Sequence, residues 1–161
     1  MTQAKILSLD TLAGRLAEAR RRGLRIVLAN GCFDLLHVGH IRYLEGAKST
    51  GDVLVVGING DASVARLKGP GRPLLGAAKR ARLVAALRAV DYVVVFDDVT
   101  VDSLLERLRP HVHAKGTDYT TQSVPEGETA RRLGIEVAIV GDPKEHSTRA
   151  LLATIARRFG R

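Results

Sequence analysis

Residues 26–42 read Ile26-Val27-Leu28-Ala29-Asn30-Gly31-Cys32-Phe33-Asp34-Leu35-Leu36-His37-Val38-Gly39-His40-Ile41-Arg42. Ile26 to Ala29 is a short apolar run rich in branched residues, the pattern of a buried strand. Asn30-Gly31 follows as a turn pair. His37 and His40 then stand three residues apart where a helical pattern begins, so both imidazoles can point at one spot. Gly39 between them leaves room for a group to approach the backbone. N–H groups at a helix start attract anions. Strand, turn, paired imidazoles and helix start together make a site for a phosphorylated ligand. A lone histidine here would read as a cap or a packing residue; the pair in this setting favours function.

Outward from this stretch the chain alternates strand and helix patterns. Leu12, Ala13, Leu16 and Ala17 or Ala19 predict an amphipathic helix over about 10–22, capped by Asp10 or Thr11 and stopped by Gly23. The helix after His40 runs to about residue 48 with Ile41, Leu44 and Ala47 on one face. Val53 to Gly57 is apolar without alternation, as in a strand covered on both faces. Residues 58–76 are polar and rich in Gly and Pro, a long connection of the kind that is functional or mobile. A helix is predicted over about 77–89 with Leu83, Val84, Leu87 and Val90 inward, then a strand from Tyr92 to Phe96. Thr100 or Asp102 starts a helix over Leu104, Leu105 and Leu108 that Pro110 ends. His111 to Lys115 forms a fourth strand, Pro125 suits the first turn of a helix to about Leu133, Ile135 to Val140 is a fifth strand, and the last helix covers about 147–158.

A helix followed by five strands, each with its helix, predicts an α/β fold: a Rossmann-like three-layer αβα sandwich around a five-stranded parallel sheet with right-handed crossovers. The whole of 1–161 reads as one domain with its core over about 25–158. Ligands in such sheets sit beyond the carboxyl ends of the strands, where strand order reverses. Segments 30–40, 57–72, 115–123 and 141–149 would meet there.

The 161 residues are 45% hydrophobic and 26% charged, ordinary for a globular protein with a real core. No apolar run is long enough to span a membrane and no signal peptide is visible, so the expected compartment is the cytoplasm. Cys32 is the only cysteine and reads as a packing residue rather than a nucleophile. The net charge of +8 raises nucleic-acid binding. The excess is spread over residues 1–25, residues 66–82 and the C-terminal Arg149, Arg157, Arg158 and Arg161. Three Tyr, three Phe and no Trp make no stacking platform, so a phosphorylated small substrate explains the middle cluster better. No G-x-G-x-x-G, P-loop or G-x-S-x-G motif is present. His111 and His113 alternate on a strand without further ligands at zinc spacing.

Asn30 to His40 resembles the motif of the cytidylyltransferase-like nucleotidyltransferases. These are Rossmann-type enzymes that join an NTP to a phosphorylated small molecule and release pyrophosphate. Asp61-Ala62-Ser63-Val64, Arg66-Leu67-Lys68-Gly69, Arg72-Pro73, Arg80, Ala89-Val90-Asp91, Lys115-Gly116 and Asp118-Tyr119 are similar to the branch that adenylates D-glycero-β-D-manno-heptose 1-phosphate. The resemblance covers roughly residues 25–158 and is to the free-standing adenylyltransferase form. It implies transfer of AMP from ATP to the sugar phosphate, giving ADP-heptose for lipopolysaccharide core synthesis.

Carried over residue by residue, the resemblance implies that His37 and His40 hold the α- and β-phosphates, with imidazolium suiting that role better than imidazole. Lys68 and Arg72 would close over the substrates, and Arg80 would contact phosphate. Asn30, Gly31, Cys32, Phe33, Gly39, Lys115, Gly116 and Asp118 would border the nucleotide, and Ser147 and Thr148 would aim N–H groups at the β- and γ-phosphates. Asp34, Asn59 and Asp61 are the candidates for the sugar, with Asp34 also near any bound Mg²⁺. No dedicated metal cage is expected; Mg²⁺ arrives with ATP. The family's Ser-Thr-Thr turn is here Ser147-Thr148-Arg149, which removes one hydroxyl. A homodimer through the first and last helices is expected. The alternatives are a cytidylyltransferase acting on glycerol 3-phosphate or a related polyol phosphate, and a non-catalytic nucleotide- or RNA-binding protein.

Overall fold

The structure, a computed structural model, describes residues 1–143 and 146–160. Arg161 and two residues of the 141–149 segment lie outside the described residues. After a short 3-10 turn, Gln3–Lys5, helix α1 (Leu9–Arg21) leads into β1 (Ile26–Gly31) and α2 (Val38–Lys48). Next come β2 (Val53–Asn59), α3 (Asp61–Lys68), α4 (Ala77–Ala85), β3 (Tyr92–Phe96) and α5 (Asp102–Leu108). The chain ends with β4 (Val112–Lys115), α6 (Gly127–Leu133), β5 (Glu136–Ile139) and α7 (Thr148–Phe159).

All five strands are parallel, in the order β3-β2-β1-β4-β5. Order reverses between β1 and β4, so the crevice for a ligand opens beyond their carboxyl ends. Successive side chains of β1 point to opposite faces. Ile26 and Leu28 pack with Leu12 and Leu16 of α1, Leu104, Leu105 and Leu108 of α5, and Ala130 of α6. Val27 and Ala29 pack on the other face with Leu44 and Ala47 of α2 and Ala81, Val84 and Ala85 of α4. Every residue of β2 is buried, which is why its sequence is apolar without alternation. No described helix is long and apolar enough to cross a membrane.

Several expected details change. The 58–76 connection is not all loop: Asp61–Lys68 forms α3, with Gly60 as N-cap and Gly69 ending it at a φ of 92°. Two helices therefore follow β2. The cap of α1 is Ser8, whose side chain accepts from the Thr11 N–H, rather than Asp10 or Thr11. Pro125 lies just before α6, whose N-cap is Glu126. Leu83 faces solvent, because α4 turns Arg80, Ala81, Val84 and Ala85 inward.

Candidate active site

An open cleft of about 920 Å³ lies beyond the carboxyl ends of β1 and β4. Asn30, Gly31, Cys32 and Phe33 border it from the end of β1, and His37, Gly39 and His40 from the start of α2. Lys68 reaches it from α3, and Lys115, Gly116 and Asp118 from the end of β4. Ser147, Thr148 and Arg149 complete the wall at the start of α7.

The two histidines build the start of α2. The Gly39 N–H donates to His37 Nδ1 at 3.1 Å and the His37 N–H donates to His40 Nδ1 at 3.2 Å. This is a reciprocal cap made from imidazoles instead of hydroxyl and carboxylate. The rings stack with centroids 3.8 Å apart and planes 25° apart. A Cβ on Gly39 would sit 2.9 Å from His37 Cε1, so only glycine lets this ring fold back over the helix start. An Nδ1 that accepts a hydrogen bond carries no proton, which puts each ring's proton on Nε2. In this arrangement each ring presents its Nε2–H as the donor.

The turn between β1 and α2 is strained and heavily fastened. Phe33 and Leu35 have φ of 50° and 62°, a cost of about 1–2 kcal/mol each for residues with a Cβ. Asp34 lies between them with its side chain fully buried. Its Oδ2 accepts from Arg72 Nε at 2.7 Å and from the Leu74 N–H at 2.7 Å, and its Oδ1 from the Leu75 N–H at 3.0 Å. Burial alone would push this carboxyl up, but the bonds from Leu74, Arg72 and Leu75 outweigh it and hold it below the usual range. Thr148 Oγ1 donates to the Leu35 carbonyl at 3.0 Å, tethering α7 to the same turn. Strain of this kind persists where surrounding bonds over-determine it.

These contacts bear on four assignments. Asp34 borders the cleft, but both its oxygens accept from residues 72–75, which makes it first a fastener of that segment. Arg72 is held by Asp34 rather than loose in a closing loop. Asn59 is buried, donating from Nδ2 to Ser63 Oγ at 2.9 Å and accepting at Oδ1 from the Cys32 thiol at 3.9 Å. Asp61 lies outside the cleft wall and accepts from Arg80 Nη2 at 2.8 Å and from the Ala77 N–H at 2.9 Å. Of the three sugar candidates, Asp61 stands away from the cleft, while Asp34 and Asn59 border it with side chains that already bond inside the protein.

Arg80 is a correction. It is fully buried and does not border the cleft. Its Nε donates to the Leu75 carbonyl, and its Nη1 to the carbonyls of Cys32 and Asn59, all at 2.7 Å. A guanidinium this committed welds the ends of β1 and β2 to the start of α4 instead of reaching phosphate. Ser147 Oγ caps α7 by accepting from the Ala150 N–H at 3.0 Å. Cys32 is half-buried, and burial raises its thiol against the pull of Lys68 and Arg80, which suits a packing thiol and not a nucleophile.

A cytidylyltransferase-like family model matches residues 28–157. The chain belongs to the cytidylyltransferase-like family. Among its relatives, the "Bifunctional protein HldE" of Geobacter sulfurreducens is 48% identical over 157 residues, covering 98% of this chain and 32% of that protein. The HldE of Geotalea uraniireducens is 52% identical over 139 residues, covering 86% of this chain and 28% of that protein. The chain spans about a third of the length of the curated relatives it matches. The crystal structure of a lipopolysaccharide core biosynthesis protein from Thermoplasma volcanium superposes with a TM-score of 0.64 at 27% identity, over 76% of this chain and all of that one.

In this family member several cleft residues had no clear signal in the sequence. Tyr43, one turn after His40, donates to the Ala114 carbonyl at 2.7 Å and accepts from the Asn30 N–H at 3.3 Å. It thereby pins α2 to the ends of β1 and β4, and its spacing from His40 was the available clue. Arg42 also borders the cleft and pairs with Asp142 at 3.1 Å. Glu126 borders it from the turn before α6. Among the described residues no group of three or more His, Cys, Asp or Glu could hold a metal ion.

Lys115 and His113 share the α5/α6 side of β4. Burial lowers the Lys115 ammonium, while Glu126 and Asp118 act to keep it charged. Its Nζ lies 4.5 Å from the Tyr119 ring centroid. His113 is fully buried, with Nε2 3.0 Å from Asn30 Oδ1. Burial, and then Lys115, push its imidazole down to about 3 from 6.5. The folded state therefore refuses a proton that the unfolded chain binds, and stability falls as pH drops below 6.5 toward 3. Between pH 6 and 5 this one group removes about 1 kcal/mol. Urea melts at pH 6 and 5 are expected to show that loss in wild type and its absence in His113→Leu; equal losses in both would rule out His113 as the source.

Proposed function

We propose that the chain transfers AMP from ATP to D-glycero-β-D-manno-heptose 1-phosphate, giving ADP-heptose and pyrophosphate. A sugar 1-phosphate oxygen attacks the α-phosphorus, the bond to the bridging oxygen of the β-phosphate breaks, and pyrophosphate leaves. The nucleophile is already anionic, so no strong base is needed. The protein's work is alignment and stabilisation of charge on the α-phosphate and the departing group.

The observation that carries this reading is the stacked histidine pair at the start of α2. Its Nδ1 bonds fix both Nε2–H donors without any further rearrangement, and pre-set donors are worth most where charge develops. The start of α2 adds its own partial positive charge. Lys68 and Lys115 add basic side chains along the cleft. Family membership supports nucleotidyl transfer, and the likeness to the Thermoplasma lipopolysaccharide core protein supports a sugar-linked acceptor.

A pyrophosphate-release assay with four NTPs against heptose 1-phosphate, other sugar phosphates and glycerol 3-phosphate tests the reading. The expected result is turnover with ATP and heptose 1-phosphate. Preference for CTP with a polyol phosphate would replace it by the cytidylyltransferase alternative. Release with no pair, together with nanomolar RNA binding at physiological salt, would replace it by a nucleic-acid-binding role.

Lys68 is exposed at the last turn of α3 and borders the cleft. Its ammonium is expected to act on substrate phosphate rather than on the fold. Lys68→Ala should raise KM for a phosphorylated substrate about 5–10-fold, the scale of one partly solvated charged contact, with thermal stability unchanged. Wild-type kinetics for both substrates would reject the assignment.

A further inference from the structure

Glu126 is 3% exposed, yet it borders the cleft. Its Oε1 accepts from the Val101 N–H at 3.3 Å, which joins the turn before α6 to the start of α5. Its Oε2 is buried and has no hydrogen-bond partner among the described residues. Lys115 acts on this carboxylate electrostatically but gives Oε2 no hydrogen bond, and a buried carboxylate oxygen without a donor is costly, so the site has room for a donor from a ligand. The neighbourhood narrows what that donor is. A carboxylate repels phosphate, and the phosphate-facing groups are the histidines at the start of α2, on the opposite side of the sheet from α5 and α6. Glu126 therefore faces an uncharged, donor-rich part of the ligand. In a nucleotide–sugar reaction that part is a sugar ring. Asp34 and Asn59 also border the cleft, but their oxygens already accept bonds within the protein, whereas Glu126 Oε2 accepts none.

We propose that Glu126 is the hydroxyl-recognising residue of the cleft, its Oε2 accepting hydrogen bonds from the hydroxyls of a sugar ring, either the ribose of the nucleotide or the acceptor sugar. This rests on the nucleotidyl-transfer reading above, and it makes Glu126 a specificity residue for that reaction.

Calorimetric binding to the full chain tests it without turnover, using ATP, 2′-deoxy-ATP, 3′-deoxy-ATP, heptose 1-phosphate and the 2-deoxy analogue of that sugar phosphate. Glu126→Gln keeps an oxygen for Val101 and is expected to weaken one ligand about 10–100-fold, the scale of a hydrogen bond to a charged group. If the partner is the ribose, wild type discriminates against a deoxy-ATP and the variant does not. If it is the acceptor, nucleotide affinity is unchanged and the sugar phosphate weakens. Folded Glu126→Gln and Glu126→Ala proteins that bind every ligand within twofold of wild type would overturn the proposal. Should the variants not fold, wild type alone decides: equal affinity for hydroxylated and deoxy ligands of both kinds overturns it. Normal binding without pyrophosphate release would reject adenylyl transfer and leave this site standing, whereas no binding of either substrate would overturn both.

Discussion

His40→Ala is expected to lower kcat for pyrophosphate release by about 10²–10³-fold, the scale for loss of one transition-state donor. Two effects combine at this residue. The substitution removes an Nε2–H whose direction is set by the bond from the His37 N–H to His40 Nδ1. It also removes the ring stacked 3.8 Å from His37, so the surviving imidazole loses one of the contacts that orient it. The cap itself is worth only about 0.5–2 kcal/mol of stability, so the variant stays folded and the loss belongs to the chemical step. The KM for ATP should move far less than kcat, because the contact matters most as the α-phosphate gains charge. His37→Ala should fall in the same range, and the double variant should cost less than the product of the two, since each ring orients the other. A His40→Ala enzyme within threefold of wild-type kcat would remove the histidine pair from the mechanism.

The histidine pair was legible because its signal is local: two imidazoles three residues apart, after a buried strand and at a helix start. The parallel sheet was legible for the same reason, since continuous apolar runs such as Val53 to Gly57 need cover on both faces. Helix α3 was not, because among its eight residues Val64 is the one buried apolar side chain, too thin a pattern to show a period. Arg80 was misread, and the inward bonds of Asp34 were missed, because their partners lie far along the chain. Asp34 bonds to residues 72–75, and Arg80 reaches back to Cys32 and Asn59. A charged residue beside a basic, phosphate-like motif looks like a ligand contact until its partners are known. For Arg80 a clue existed. It occupies the same inward stripe of α4 as Ala81, Val84 and Ala85, and an arginine on a core face is a buried clamp before it is a surface contact. Glu126 carried no comparable clue, because its burial comes from the way α5 and α6 meet.

Arg80→Ala is expected to cost about 3–5 kcal/mol of folding stability, the range for breaking a buried charged network. The size comes from the carbonyls more than from the ion pair. The Asp61 side chain is 56% exposed, and a pair with one partner in water contributes about 0–1 kcal/mol. The carbonyls of Leu75, Cys32 and Asn59 each receive a 2.7 Å bond from the guanidinium, and each buried acceptor left unpaired costs about 1–3 kcal/mol. Asp61→Asn, which keeps an oxygen for the Ala77 N–H, should therefore cost under about 1 kcal/mol in the same urea titration. Arg80→Lys should rescue little, because one ammonium cannot reproduce a planar fork that serves three carbonyls at once. If Arg80 instead held a substrate phosphate, Arg80→Lys would keep wild-type stability and raise only the KM for ATP. That outcome would return Arg80 to the cleft; a large stability loss in both Arg80 variants beside a small one in Asp61→Asn fixes it as the clamp behind the turn between β1 and α2.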